Sequence, residues 1–576
     1  MPELMNKLTT SARSNLSQPA VAGKTDPMMR LGSLCSLVVS LALSLGASMS
    51  EAAQSVPRVG KYKTLELIFA AEEMPANPFD TCLLKLEVTD PAGKVFMVEG
   101  FYDGDGNGAK NGRTWKARLC PYMTGIWSWR TVPGDAADSG LAGRNGRFQC
   151  TPSGDLGGII GQGRYFRLQD GGPFYPVGNF LDEAGGLPLW SFLGEETTNA
   201  QRDAIIARQR DFHNANKYMF YMCNKSDHSD SFSEVVTPWV GTASSSDKTR
   251  MDPARWKLYD EYLRRMKDNR MLAYMSIFED GKPGNYGDLP MADRKRLMRY
   301  VMARTSAFSH LWYVLCFEWQ EAWTKTEVND AGEFIRAHNP WNRLLSVHDW
   351  GQAPWAYGGE SWPTYIASQD GNDKTPDSVN SYVISQRTHA LPHLADEFGI
   401  NRTSSDPRIR GNLWAAFCGG AAGVGTGTEL KAFQRFLAQS KVPYQLMTPS
   451  NGLVREGGST RFCLAESGHH YVVYSTTGPF ALSVSGTGLT GRWFNPRDPN
   501  GSLGASFPVS SGTSTFTPAD TAKDWVLWVT DGTNLNTDVT HPSVGATVVP
   551  VVVGVAPLQG AERQVGGVAD RKEKTP

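Results

Sequence analysis

The sequence has almost no net charge and few cysteines, and these shortages exclude several classes of protein. The 576 residues carry a formal net charge of −1, so the composition indicates neither nucleic acid nor an anionic membrane surface as a partner. Eight cysteines without any Cys-x-x-Cys spacing argue against a structural zinc site and against a disulfide-dense scaffold.

Several catalytic motifs are missing as well. There is no Gly-rich phosphate turn of the kind found in doubly wound dinucleotide folds, and no HExxH or GxSxG motif that would support a peptidase. The segment Asp103-x-Asp105-x-Asn107-Gly108 resembles the start of a calcium loop, but Thr114 stands where that loop needs a bidentate glutamate. We favour a Gly-rich turn there, with adventitious calcium as the alternative, and expect no metal site.

The N-terminal segment resembles an export signal. Arg30 precedes an apolar run from Leu31 to Met49, and Ser50-Glu51-Ala52 offers a small-x-small cleavage site. Residues 1–53 are therefore interpreted as an extension plus a signal peptide at about 28–53. The expected location is secreted or periplasmic, without membrane association after cleavage. An uncleaved anchor helix is the alternative.

The type of secondary structure predicted for the rest of the chain changes twice. Short strand-like runs separated by turn residues occupy both flanks, whereas the middle alternates strand and helix signals. The last 40 or so residues show neither a helix nor a hairpin pattern, and we interpret them as a disordered tail. The predicted segments are a β-sandwich at 54–153, an α/β domain at 160–445, a smaller β-sandwich at 446–534 and the tail at 535–576.

The middle segment contains eight strand signals that alternate with helices. Asp252 followed by Pro253 marks the start of one helix, because Asp is a favoured N-cap and Pro is tolerated at the first helical position. Eight such units predict a (β/α)₈ TIM barrel, flanked by the two sandwiches, as the fold class. The predicted strands are 175–178, 218–222, 271–278, 311–317, 344–347, 365–368, 393–396 and 421–424.

Two of these strands end in a carboxylate. Because side chains alternate along a strand, Glu318 should share the barrel-facing side of strand four with Val314 and Cys316. On strand seven, Glu397 should face the barrel together with Ala395, and Asp396 should face the helices. The 79 residues between Glu318 and Glu397 fit three βα units, so the two carboxylates should meet across the barrel mouth.

A pair of carboxylates at this position is typical of a glycosidase. If they lie about 5–5.5 Å apart, one attacks the anomeric carbon while the other protonates the leaving oxygen, and configuration is retained. Glu321 is the rival acid/base to Glu318, and Asp396 is the rival to Glu397. No cofactor is needed for this chemistry.

Other polar and aromatic residues follow the predicted strands and could bind a sugar. Hydroxyl groups need hydrogen-bond donors and acceptors, and pyranose rings stack on flat aromatic faces. The candidate substrate-binding residues are Asn179, Asn224, Glu279, Trp319, Trp323, His348, Trp350 and Gln369.

Several short motifs resemble a known group of bacterial proteins. Ala76–Asp80 (ANPFD) and Glu99–Gly106 (EGFYDGDG) resemble the uncharacterised β-sandwich domain that precedes many glycoside hydrolase barrels. Asp396–Gly399 (DEFG) resembles the nucleophile strand of apiosidase-like and cellulase-like glycoside hydrolases. Tyr471–Phe480 (YVVYSTTGPF) and Gly491–Asp498 (GRWFNPRD) resemble the module of those proteins that is named for collagen binding.

The resemblance implies an exported, retaining glycoside hydrolase that acts on a poly- or oligosaccharide, with Glu397 as nucleophile and Glu318 as acid/base. Phe317 occupies the position where the family usually has Asn. The alternative is therefore a carbohydrate- or matrix-binding protein on a barrel that has lost catalysis. A peptidase ranks last.

Overall fold

The computed structural model describes residues 56–178, 183–184, 187–225, 235–242, 245–278, 289–351, 353–369, 374–397, 407–425, 430–456, 458, 460–537 and 548–553. The predicted signal peptide and most of the predicted tail lie outside these residues. Within them, no helix combines the length and apolar character that a membrane crossing requires.

The N-terminal part consists of short strands. The alternating burial of β7, with Trp127 and Trp129 inside, is the pattern of a strand with one face in a core. The strands are β1 Arg58–Gly60, β2 Thr64–Ala70, β3 Leu84–Thr89, β4 Val95–Glu99, β5 Phe101–Tyr102, β6 Thr114–Leu119, β7 Gly125–Pro133 and β8 Asn145–Thr151.

The middle part alternates strands and helices. Its strands are β9 Ile159–Gln162, β10 Tyr165–Leu168, β11 Glu183–Ala184, β12 Leu187–Pro188, β13 Lys217–Tyr221, β14 Asn224–Lys225, β15 Val235–Val236, β16 Trp239–Thr242, β17 Ser245–Met251, β18 Leu272–Ser276, β19 Leu311–Val314, β20 Leu345–Ser346, β21 His348–Trp350, β22 Ile366–Gln369, β23 His393–Glu397 and β24 Gly423–Val424. Its α-helices are α1 Asn199–Ala207, α2 Pro253–Asp268, α3 Met291–Thr305, α4 Lys325–Ala337, α5 Pro376–Gln386, α6 Pro407–Cys418 and α7 Leu430–Ser440.

The C-terminal part is again made of strands. They are β25 Thr448–Pro449, β26 Val454–Arg455, β27 Arg461–Glu466, β28 His470–Ser475, β29 Phe480–Val484, β30 Thr490–Phe494, β31 Phe507–Pro508, β32 Gly512–Phe516, β33 Trp525–Thr530 and β34 Val548–Val552. A six-stranded sheet, β25-β27-β28-β33-β30-β31, and a three-stranded sheet, β26-β29-β32, contain all of these strands except β34.

Strand β34 corrects the prediction of a disordered tail. It pairs in parallel with β2 from Thr64↔Val548 to Ile68↔Val552 and forms the edge of the sheet β34-β2-β6-β5. An edge position tolerates Pro550, which has no N–H for a second neighbour. The second N-terminal sheet is β1-β8-β7-β3-β4, and buried side chains of both sheets form one core.

The middle part is a mixed α/β arrangement built on two four-stranded parallel sheets, β13-β18-β19-β20 and β21-β22-β23-β24. At one seam, the His348 amide donates to the Cys316 carbonyl at 3.0 Å. At the other, the Val177 carbonyl accepts from the Lys217 amide at 3.1 Å, and Val177 forms a parallel bridge with Val424. Backbone hydrogen bonds therefore join the two sheets at both outer edges.

Side chains from consecutive parallel strands meet in one buried group, here called the central cluster. Side chains on the opposite faces of the strands, such as Tyr313 and Leu315, pack with the helices instead. The central cluster comprises Ile159, Phe166, Leu168, Phe174, Met219, Tyr221, Leu272, Tyr274, Trp312, Val314, Phe317, Leu344, Tyr365, Ala367, Leu394 and Ala422.

A buried ionic network joins the N-terminal sheets to the helices of the middle part. Arg118 on β6 bonds to Glu66 on β2 and to both carboxylate oxygens of Asp260 on α2. Arg304 on α3 contacts Asp260 and Asp103. Asp103 belongs to the segment that resembled a calcium loop, and its carboxylate is held by Arg304 and Lys116.

Candidate active site

Glu318 lies four residues beyond the end of β19 in a strained backbone conformation. Its φ of +40° is in the left-handed region, which costs a non-glycine residue roughly 1–3 kcal/mol and is common at active sites. Trp319–Glu321 form a short 3₁₀ turn after it, and the Glu321 amide donates to the Glu318 carbonyl at 2.9 Å. The turn ends the strand abruptly and leaves the Glu318 side chain half-buried at its carboxyl end.

Gln369 connects Glu318 to the other sheet. The Gln369 side-chain amide donates a hydrogen bond to Oε1 of Glu318, and the Gln369 backbone carbonyl accepts from Gly351 at 3.0 Å. Gln369 is the last residue of β22 and is almost completely buried. The strand therefore fixes this amide, and the amide in turn orients the Glu318 carboxylate.

A β-bulge at the end of β23 determines where Glu397 lies. Ser368 pairs with Ala395, but the next residue, Gln369, pairs with Glu397, so Asp396 is the extra residue. Directly paired residues on neighbouring strands share a face and lie about 5 Å apart. Glu397 therefore shares the face of Gln369, which bonds to Glu318. A bulge commonly redirects a side chain next to a functional site.

The faces of β23 are the reverse of the prediction. Leu394 belongs to the central cluster and Ala395 packs with the helices. Asp396 was expected to face the helices, yet its carboxylate accepts from the Lys217 ammonium at 2.7 Å in a fully buried pair. Side chains alternate from Leu394 to Asp396 as expected, but with the opposite phase, and the bulge then puts Glu397 on the face of Gln369.

A similar break occurs after β19. Val314 faces the central cluster as expected, but Cys316 packs with the helices and Phe317 joins the central cluster. The expected placement of Cys316 was therefore wrong. The strand pairing ends at Val314, and beyond that residue the chain turns out of the extended conformation on which alternation depends.

Lys217 was missed by sequence reasoning. It begins β13, an otherwise apolar and fully buried strand, and a lysine in such a strand is a signal that the position needs an anionic partner. Burial lowers the pKa of Lys217, and attraction to the Asp396 and Glu397 carboxylates opposes that shift. The Lys217 ammonium also lies 4.6 Å from the centre of the Tyr274 ring.

His348 lies near the charges of Asp396 and Lys217. Its imidazole is fully buried and stacks on Phe317, with ring centres 4.1 Å apart. Burial lowers the pKa of His348 to about 4, so the ring is neutral near pH 7. Neither ring nitrogen bonds to any residue that the structure describes, which leaves one donor and one acceptor for a small molecule.

The predicted tryptophans have different environments. Trp350 is 48% exposed and lies next to Gln320, whose side chain bonds to Asp349 at 2.6 Å. Trp319 and Trp323 are buried in the core with the helices, and the Arg294 guanidinium covers the Trp323 ring at 3.9 Å. The burial of Trp319 and Trp323 argues against the substrate-stacking role predicted for them, and that role stays a prediction.

Three of the remaining candidates cannot be placed in the site. Asn179 and Glu279 lie outside the described residues, and of Asn224 only the backbone, in β14, is described. The rival acid Glu321 is half-buried at the end of the 3₁₀ turn. Among the described residues, no group of three or more His, Cys, Asp or Glu side chains could hold a metal ion.

One protein family matches part of the chain. A family described as a domain of unknown function, DUF5060, matches residues 58–133, which cover most of the N-terminal strands. The curated proteins give no match.

Solved structures share the fold of a much larger part of the chain. A protein from Bacteroides vulgatus ATCC 8482 that is assigned as a glycoside hydrolase has a TM-score of 0.63 at 17% identity, covering 82% of this chain and 99% of that one. A family 5 glycoside hydrolase from the same organism has a TM-score of 0.53 at 14% identity, covering 68% and 96%. The chain is thus similar in fold to glycoside hydrolases over most of its length.

Proposed function

We propose that this protein is an exported retaining glycoside hydrolase that acts on a poly- or oligosaccharide. The observation that carries the proposal is the position of Gln369. Its side chain bonds to Glu318 and its backbone pairs with Glu397, so one residue connects the two candidate catalytic carboxylates.

The proposal includes a closed (β/α)₈ barrel. Backbone bonds at both seams of the two parallel sheets support closure, and side chains from consecutive strands fill the space that such a barrel would enclose. In that fold, active sites lie at the carboxyl ends of the strands. Glu318, Gln369 and Glu397 all occur at or just after the ends of their strands.

In this mechanism, Glu397 attacks the anomeric carbon and Glu318 protonates the leaving glycosidic oxygen. Water then attacks the glycosyl-enzyme, with Glu318 removing its proton, so the anomeric configuration is retained. Lys217 supplies a positive charge that interacts with both Asp396 and Glu397. Gln369 holds the Glu318 carboxylate in position through the cycle.

We assign substrate contacts to two residues, Trp350 and His348. Trp350 presents an exposed ring on which a sugar face could stack. His348 has one donor and one acceptor that no described residue uses, and these suit a sugar hydroxyl or a bridging water. A carbohydrate is thus the proposed partner, and we propose no cofactor.

A binding protein without catalysis is the second candidate, and Phe317 favours it. Phe317 stacks on His348 within the central cluster, so an apolar ring occupies the position beside Glu318 where the resembling family has an amide. Such a protein would bind glycans without cleaving them.

A panel of plant and microbial glycans separates the two candidates. The wild-type protein should release reducing sugar from at least one glycan. Glu397→Gln and Glu318→Gln should reduce that release by about 10³-fold, because each lacks a group that must be charged or must transfer a proton.

The matched control is Glu333→Gln, the same change at an exposed position on α4, which should leave turnover unchanged. Binding of a glycan without turnover in the wild-type protein would reject the hydrolase in favour of the binding module.

A further inference from the structure

A cavity of about 240 Å³ lies far from the proposed catalytic residues. Ala421 and Ala422, which precede β24, and Arg387, which precedes β23, line it together with Leu464 of the C-terminal part. These positions are at the amino ends of the parallel strands, whereas Glu318 and Gln369 are at the carboxyl ends. The cavity therefore belongs to a different face of the middle part.

Two arginines line this cavity, and neither pairs with a carboxylate of the described residues. Arg387 makes one long side-chain hydrogen bond, from Nη1 to the Gly420 carbonyl at 3.4 Å. Arg164 donates through Nε and Nη2 to the Arg387 carbonyl, at 3.2 and 2.9 Å. Among the described residues, neither guanidinium forms an ion pair with a carboxylate.

The arrangement has an unfavourable charge distribution as it stands. Burial lowers the pKa of Arg387, and the positive charge of Arg164 lowers it further. Arg387 is half-buried and Arg164 is exposed, and their like charges repel each other. Arg164 has a structural role at the carbonyl of Arg387, the residue that follows α5, whereas most N–H groups of Arg387 have no partner among the described residues.

Two further features indicate a site that is open to a ligand. The Tyr444 hydroxyl is buried and bonds to no described residue, and Tyr444 is one of the residues that line the cavity. At Gly420 the φ angle is +85°, and a Cβ there would lie 2.3 Å from Arg387 Nη1. The glycine thus leaves room for the guanidinium beside the cavity.

We propose that this cavity binds a small oxyanion between Arg387 and Arg164, with the Tyr444 hydroxyl as a further donor. Guanidinium groups bind carboxylate, phosphate and sulfate through paired N–H donors. The volume corresponds to about eight water molecules in the liquid, which is enough for an inorganic oxyanion or for the carboxylate end of an acidic sugar. The two sources share the same chemistry.

Isothermal titration of the full chain at constant ionic strength tests the site, with sodium sulfate, sodium phosphate and sodium glucuronate as probes. At least one anion should bind saturably with one site per chain. Binding of sulfate or phosphate identifies an inorganic ligand, whereas binding of glucuronate alone identifies a sugar acid. Neutral glucose should not bind at the same concentration.

Arg387→Met should weaken anion binding by about tenfold or more, because a charge-assisted hydrogen-bond pair is lost. Arg492→Met, at an exposed position outside the cavity, should leave binding unchanged. If Arg387→Met does not fold, as judged by circular dichroism, Tyr444→Phe decides the case and should weaken binding several-fold.

Saturable binding by none of the anions would overturn the proposal, as would equal binding of glucose or an affinity that both cavity variants leave unaltered. The titration needs no turnover, so its result is independent of the proposed hydrolase activity.

Discussion

Gln369 and Glu318 come from strands that are not neighbours, yet the amide of one donates a hydrogen bond to the carboxylate of the other. The bond spans the seam between the two parallel sheets. It ties the strained backbone of Glu318 to the strand that pairs with Glu397. The position of one carboxylate thus depends on the packing of the strand that adjoins the other.

Replacing Gln369 by Met keeps the length of the side chain but removes its donor. We expect kcat to fall by about tenfold or more, since a hydrogen bond to a charged group is lost, while KM changes little. Steady-state kinetics on the best glycan substrate measure this. Gln149→Met makes the same change in the N-terminal part and should keep wild-type kinetics. Equal kcat values for Gln369→Met and the wild type would mean that the bond does not position Glu318.

Removing one member of the Lys217–Asp396 pair should destabilise the protein strongly, whereas replacing both members with apolar residues should destabilise it much less. Lys217→Met leaves Asp396 buried without its cation, so the free energy of unfolding in urea should fall by about 3–5 kcal/mol. Lys217→Met combined with Asp396→Leu should recover most of that loss.

The control for this pair is Lys523→Met. Lys523 and Asp520 form an exposed pair at 3.2 Å, and the loss there should stay below about 1 kcal/mol. If Lys217→Met and Lys523→Met lower the free energy of unfolding by similar amounts, the buried pair contributes no more to stability than the exposed pair.

Replacement of Trp350 and of Trp323 by Ala should have different effects. Trp350→Ala removes an exposed ring, so KM for an oligosaccharide should rise several-fold because a stacking contact of about 1 kcal/mol is lost, with stability unchanged. Trp323→Ala opens a cavity in the core and should lower the free energy of unfolding by about 3–5 kcal/mol. Thermal melts and substrate titrations on both variants test this. A stable Trp323→Ala protein with raised KM would reverse the assignment.

Buried histidines should make the protein sensitive to acid. Burial lowers the pKa of His310 from 6.5 to about 3, so the unfolded chain binds its proton first as the pH falls. The stabilisation is present above pH 6.5 and is lost between about 6.5 and 3. The loss at pH 4.5, relative to pH 7, amounts to roughly 3 kcal/mol for this one residue.

Urea unfolding at pH 7 and pH 4.5 should therefore show a smaller difference for His310→Gln than for the wild type. An identical pH dependence for His310→Gln and the wild type would contradict the burial argument.

Local signals predicted much of the secondary structure. Asp252 accepts from the Ala254 amide at 3.1 Å as the N-cap of α2, and Trp256, Tyr259, Leu263 and Met266 are buried on that helix, as their spacing indicates. Such features depend on residues within one or two turns of each other. They can therefore be read directly from the order of residues.

The remaining features depend on distant partners. The bulge at Asp396 and the ion pair with Lys217 result from how two strands align, which no local pattern encodes. Strand β34 pairs with β2 from the other end of the sequence, so the tail seemed featureless without its partner. Sequence reasoning could identify Glu318, Glu397 and Gln369 as candidates, but not the hydrogen bond from Gln369 to Glu318.

Covalent trapping of the nucleophile is the most direct test of the proposed carboxylate pair. Incubation with the 2-deoxy-2-fluoro glycoside of the sugar that the glycan panel identifies, followed by peptide mapping by mass spectrometry, locates the modified residue. The proposed mechanism predicts a single fluoroglycosyl ester on Glu397, with no label in Glu397→Gln. A label on Asp396 or elsewhere, or turnover that inverts the anomeric configuration without any label, would contradict it.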